Sequence, residues 1–131
     1  MNLNTWESST GYNKLNLAVA VGTTGSSVTI AATDATATET AGNTGTFTVT
    51  IAPASATATT VKLTYGGTAT SGSDYTALAA SVTVPAGSTT ATLTVTPVDD
   101  AVYDGSETVI TTVAAGTGYS VGSPASGTVT I

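Results

Sequence analysis

Six of the eight carboxylates in this 131-residue chain fall in three short stretches: Glu39, then Asp74, then Asp99, Asp100, Asp104 and Glu107. The last stretch, DDAVYDGSE at 99–107, holds four acids in nine residues. So much like charge folds closely only around a cation. The chain offers that cation hard oxygen donors alone, because His and Cys are absent. Calcium suits such a set: it takes six to eight oxygens from carboxylates and carbonyls and tolerates irregular geometry. The spacing lacks the alternating acids of an EF-hand loop, so the ligands must come from several connections. A single Asp beside Gly is ordinarily a solvated turn residue. Six acids at one end of a chain with 8% charged residues call for another reason.

They share one end if the chain is a sandwich of consecutive antiparallel strands, since the turns after the first, third and fifth strands then lie at one pole. Alternation of apolar and polar residues marks seven strands. The first covers 28–30 with an extension to 39, followed by 46–51, 60–65, 81–84, 90–98, 108–113 and 128–131. Phe47, Val49 and Ile51 point to one face, as do Val61, Leu63 and Tyr65, then Ala91, Leu93 and Val95, then Val109, Thr111 and Val113. Glu39 then follows the first strand, Asp74 the third, and the 99–107 run the fifth. The opposite turns, 53–59, 85–88 and 115–124, contain no acid. Gly42, Asn43 and Gly45 precede the second strand, Gly66 and Gly67 follow the third, and Pro85-Ala86-Gly87-Ser88 reads as a tight hairpin. Pro97 marks the point where the fifth strand leaves its sheet. Asp34 lies within the first strand and reads as solvent-facing rather than as a ligand.

The composition agrees: Thr, Val and Gly favour pleated strands and tight turns, and no helix is expected. The length suits one sandwich core with a spare segment. A net charge of −6, with Lys14 and Lys62 as the only side-chain cations, argues against nucleic acid and anionic lipid as partners. No apolar run reaches the length of a membrane span. The N-terminus has neither the basic nor the apolar region of a secretory signal, so a secreted protein would be present here in mature or excised form. A Thr- and Ser-rich, Lys-poor surface suits an extracellular bacterial module. Without His or Cys there is no Ser-His or Cys-His nucleophile and no His-based zinc site. A glycosidase carboxylate pair would want aromatic platforms, and the acidic loops offer only Tyr75 and Tyr103, which read as packing or shielding residues. The chain is expected not to be an enzyme.

Residues 1–27 form an arm outside the seven strands, and 28–131 the sandwich. The arm contains one further strand, LNLAVAV at 15–21, joined to the sandwich by a GTTGSS tether at 22–27. TGY at 10–12 echoes TGY at 117–119, so this strand is either the last strand of a preceding copy or a chance feature of a low-complexity composition. Trp6 stands in the same arm and is placed to anchor a contact, if the arm is not simply a disordered tail.

Residues 28–131 resemble the Calx-β domain family, found in sodium–calcium exchangers, integrin β4 and many bacterial surface proteins. The resemblance rests on ATET at 37–40, TGTFTVTI at 44–51, GTATSGSDYTAL at 67–78, VTVPAGSTTATLTVTPVDD at 82–100 and GSETV at 105–109. It implies an all-β, seven-stranded, antiparallel, immunoglobulin-like sandwich with calcium at the acidic pole. The implied ligands are Glu39, Asp74, Asp99, Asp100, Asp104, Glu107 and the backbone carbonyl of Val102. Asp104 stands where the family usually has Glu, which shortens its reach. Calcium-sensing members carry more acids beyond the last strand, whereas this sequence stops at Ile131. That departure implies a weaker site, fewer ions, or acids supplied by a following module.

Three functions are therefore expected, in descending order. The first is an extracellular calcium-binding structural module of a bacterial adhesin or fibre, with copies of itself, adjacent modules or a surface or matrix ligand as partners. The second is a fibre subunit that polymerises by adding the 15–21 strand to a neighbour's sheet. The third is a calcium-regulated sensor.

Overall fold

The computed structural model describes residues 26–100 and 105–131. Strands β1 (Ser26–Asp34), β2 (Gly45–Ala52), β3 (Thr59–Gly66), β4 (Ser81–Val84), β5 (Thr90–Val95), β6 (Thr108–Val113), β7 (Tyr119–Val121) and β8 (Ser126–Thr130) form two four-stranded sheets. The first runs β5-β2-β1-β7 and the second β4-β3-β6-β8. The 15–21 strand and the rest of the arm before Ser26 lie outside the described residues, as do Val102, Tyr103 and Asp104.

Period-two alternation builds the core. In β2 the buried residues are Gly45, Phe47, Val49 and Ile51, and the intervening threonines face outward. Val61, Leu63, Leu93, Val95, Val109, Val113 and Val129 meet them from the other strands. Tyr65 and Ala91 are only half-buried at the margin of this core. The Thr111 side chain is also fully buried, and its hydroxyl has no hydrogen-bond partner. The outer face of the first sheet is a hydroxyl array, with Thr46 opposite Thr94, Thr48 opposite Thr92 and Thr50 opposite Thr90.

Four details correct the sequence reading. The described residues contain eight strands because the turn assigned to 115–124 contains β7, which is too short to show alternation and pairs in parallel with β1. The sandwich is thus not wholly antiparallel. β1 stops at Asp34, and the chain then crosses to the second sheet, where the amide of Ala37 donates to the Thr130 carbonyl at 2.8 Å. β5 stops at Val95, and Pro97 bridges to Tyr75 instead of continuing along β2, so the proline does mark the departure point. The 85–88 turn is tight, with Ser88 N–H donating to Pro85 O at 3.0 Å, but it joins strands of different sheets and is not a hairpin. The described residues also contain one 3-10 turn, Thr40–Gly42.

Candidate metal centre

Strand direction alone brings the ends of β1, β3 and β5 to one pole; backbone hydrogen bonds tie the connections after β3 and β5 to each other and the one after β1 to the end of β8. The connection after β3 is the hub. Its Ala69 amide donates to Thr108 O at 2.9 Å at the start of β6. The Thr108 amide returns a hydrogen bond to the Thr68 hydroxyl at 2.9 Å. A few residues on, Thr76 N–H donates to Thr96 O at 2.9 Å and Val98 N–H to Asp74 O at 3.0 Å, fastening the hub to the exit of β5.

Asp74 sits at the centre of this hub and is half-buried. Its carboxylate Oδ2 accepts the Thr70 amide at 2.5 Å, and its own amide donates to Thr70 O at 2.9 Å. The TSGSD sequence therefore closes on itself, with Gly72 at φ +87° making the turn and donating to Tyr75 O at 2.8 Å. Tyr75 is buried beneath it, in keeping with a packing role. The neighbouring Tyr65 hydroxyl donates to Ala79 O at 2.5 Å. Burial, and secondarily the nearby Tyr75, raise its pKa above the ordinary tyrosine value.

The remaining acids are placed by these ties. Asp99 and Asp100 are exposed and directly follow Val98. Glu107 is half-buried and leads into β6, while Glu39 is half-buried just before the 3-10 turn. Asp34 ends β1 at this same pole rather than lying mid-strand; its Oδ1 accepts both the amide and the hydroxyl of Thr36 at 3.3 Å. The opposite pole, formed by the 53–58, 85–89 and 114–125 connections, carries no acid. Lys62, the one cation among the described residues, faces outward near it, in an open cleft of about 430 Å³.

Glu39, Asp74, Asp99, Asp100 and Glu107 are thus at one pole, but no three acids among the described residues are drawn close enough to hold a metal ion. Asp104 and the Val102 carbonyl belong to the residues not described. Chemically the donors fit a hard cation, since every candidate supplies oxygen and several are anionic. The parts that hold them in place, Thr68, Thr70, Thr108 and Ile131, are not legible in the sequence. Their contacts run through backbone amides and threonine hydroxyls, which leave no residue-type signature in a chain so rich in Thr.

The comparisons with known proteins agree with this architecture. The crystal structure of the apo-form Calx CBD1 domain superposes with a TM-score of 0.66 at 20% identity, over 82% of this chain and 96% of that one. CBD12 from CALX1.2 superposes with a TM-score of 0.63 at 20% identity over 79% of this chain. The calcium binding domain CBD12 of CALX1.1 gives 0.63 at 21% identity over 78%. This chain spans 43% of each of the two CBD12 chains. At these identities the likeness speaks for the fold. No curated protein sequence matches significantly. The Calx-beta domain family model matches residues 23–131, from just before β1 to Ile131, which follows β8, and the chain belongs to the Calx-beta domain family.

Proposed function

We propose that this chain is a non-enzymatic, calcium-binding structural module of an extracellular bacterial adhesin or fibre. Glu39, Asp74, Asp99, Asp100, Asp104, Glu107 and the Val102 carbonyl would hold calcium at the acidic pole. The observation that carries this reading is the segregation of charge: the acid-bearing connections after β3 and β5 are hydrogen-bonded to each other, the one after β1 is tied to the end of β8 at the same pole, and the other pole has no acid. Its support from relatives is that a structural neighbour is described as a calcium binding domain. Bound calcium neutralises carboxylates that otherwise repel one another. The residues of this chain supply the rest: Asp74, bonded to Val98, and the backbone exchange between Glu107 and Ile131 would hold the two ends of the 99–107 segment at the ion. Because the ion binds the folded chain, millimolar calcium outside the cell stabilises it by mass action.

Calorimetric titration with calcium tests this. Wild-type protein should bind, and Asp99→Ala/Asp100→Ala should not. Equal heats from both proteins would remove the assignment.

A second reading, a fibre subunit assembled by strand addition, is favoured by a different feature. Leu15, Leu17, Val19 and Val21 form an apolar alternation, and the strands of the described residues form two four-stranded sheets by themselves.

A further inference from the structure

We propose that the sheet edge receiving the 15–21 segment is β5, and that the segment comes from a second copy of this chain. The inference rests on the strand-addition reading and names its acceptor. β5 ends the first sheet, and its far edge has no strand neighbour among the described residues. The other three edges are poorer. β4 is four residues long and β7 three, while the end of β8 is covered by the parallel bridge from Thr36. β5 offers six residues, TATLTV, without charge, Pro or Gly, which are the usual devices that discourage edge pairing. Beyond Val95 the edge closes, because 74–76 bond to 96–98. The open length therefore matches a seven-residue donor to within one residue.

Side chains on this flank point the same way. Leu78, Val82 and Ala91 pack against the core yet remain half-buried, so an apolar margin lies along β5 and β4. A strand added beside β5 would lay its Leu15, Leu17, Val19 and Val21 face over that margin.

Covalent reach decides between a chain's own arm and a neighbour's. From Val21 to Ser26 there are five Cα steps, at most about 17 Å when fully extended. The lane beyond β5 is three strand spacings from β1, roughly 14 Å in a straight line. That line is barred. Ser26 Oγ donates to Pro53 O at 2.7 Å, and Gly87 N–H donates to Ser55 O at 2.8 Å. The 53–58 connection is thereby fastened to β1 on one side and to the turn entering β5 on the other. A tether in that lane has only about 3 Å to spare for passing over or around this connection, which favours a donor from another copy.

The chain has no Cys, so single introduced thiols report cleanly. Full-length Ala18→Cys protein is mixed with full-length Thr92→Cys, Thr83→Cys or Ser120→Cys protein, the last three placing the thiol on the outward faces of β5, β4 and β7. Mild oxidation should give a mixed disulfide dimer with Thr92→Cys and lose it with the other two. Asn16→Cys and Ala20→Cys cover a shift of register. Leu17→Asp/Val19→Asp in the arm should abolish both the dimer and any larger assembly. Cross-linking mainly to Ser120→Cys or Thr83→Cys, with assembly still dependent on the arm, would overturn β5 as acceptor and leave strand addition standing. An intrachain disulfide in dilute Ala18→Cys/Thr92→Cys protein would overturn the second copy. Full-length protein that stays monomeric and forms no cross-link overturns both.

Discussion

Glu107 and Ile131 exchange both backbone hydrogen bonds, the Glu107 amide donating to the Ile131 carbonyl at 3.2 Å and the Ile131 amide to the Glu107 carbonyl at 2.8 Å. This pair fixes one foot of the acidic loop. The other foot is Val98, held to Asp74 at 3.0 Å. The segment between these two feet carries Asp99, Asp100 and Asp104, whose like charges repel one another. Removing calcium should therefore lower the melting temperature and raise hydrogen exchange within the loop, with the Val98, Glu107 and Ile131 amides still protected. Superimposable melts in chelator and in millimolar calcium would contradict this.

Asp74 is assigned two separable tasks, and two variants part them. Asp74→Ala loses the hydrogen bond from the Thr70 amide and should cost about 1–2 kcal/mol even without calcium. Asp74→Asn keeps an oxygen for that amide but not the charge, so it should melt near wild type in chelator and gain much less from calcium. Asp34→Ala, whose carboxylate is occupied locally by Thr36, should leave the calcium response unchanged. Chemical denaturation of the three variants in chelator and in calcium gives all six values. An Asn variant with the full calcium gain would remove Asp74 from the ligand set.

Thr111 places a hydroxyl in the core with nothing to bond. Thr111→Val has nearly the same shape and removes the unsatisfied group, so it should raise stability by roughly 1 kcal/mol in denaturant unfolding. A loss of stability would mean that the hydroxyl has a partner, such as a buried water.

The raised pKa of Tyr65 predicts an alkaline limb. In the fold its phenol keeps the proton longer than in the unfolded chain, because burial first and Tyr75 second oppose the phenolate. Its contribution is therefore complete below the ordinary tyrosine pKa of 10.0 and is lost as pH rises through the higher folded value. Tyr65→Phe should flatten that loss. At neutral pH it should cost about 1 kcal/mol for the missing hydrogen bond to Ala79. Denaturation midpoints between pH 7 and pH 11 follow both effects, and an unchanged alkaline slope in the variant would assign it elsewhere.

Local pattern made most of the fold legible, and topology made the pole legible. The inward sets in β2, β3, β5 and β6 follow from alternation, and Glu39, Asp74 and Glu107 reach one end because strand direction alternates. What stayed hidden was non-local. β7 exists only because three residues find β1 across the sandwich, and β4 and β5 part into different sheets although a tight turn joins them. The ties of Thr68 to Thr108 and of Glu107 to Ile131 likewise depend on partners far along the chain.

Gly66 and Gly67 show the same limit at two adjacent positions that read alike as turn residues. A Cβ on Gly66 would meet nothing within 4 Å. A Cβ on Gly67 would run into the Thr108 carbonyl, and its φ of +100° is one that side chains other than glycine rarely adopt. Thr108 cannot yield easily, since its carbonyl holds the Ala69 amide and its own amide bonds the Thr68 hydroxyl. Gly67→Ala should thus lose about 3 kcal/mol and weaken calcium binding by loosening the Asp74 hub from β6. Gly66→Ala should stay within about 0.5 kcal/mol of wild type. Equal unfolding midpoints for the two variants would show that the hub is not pinned to β6 through this contact.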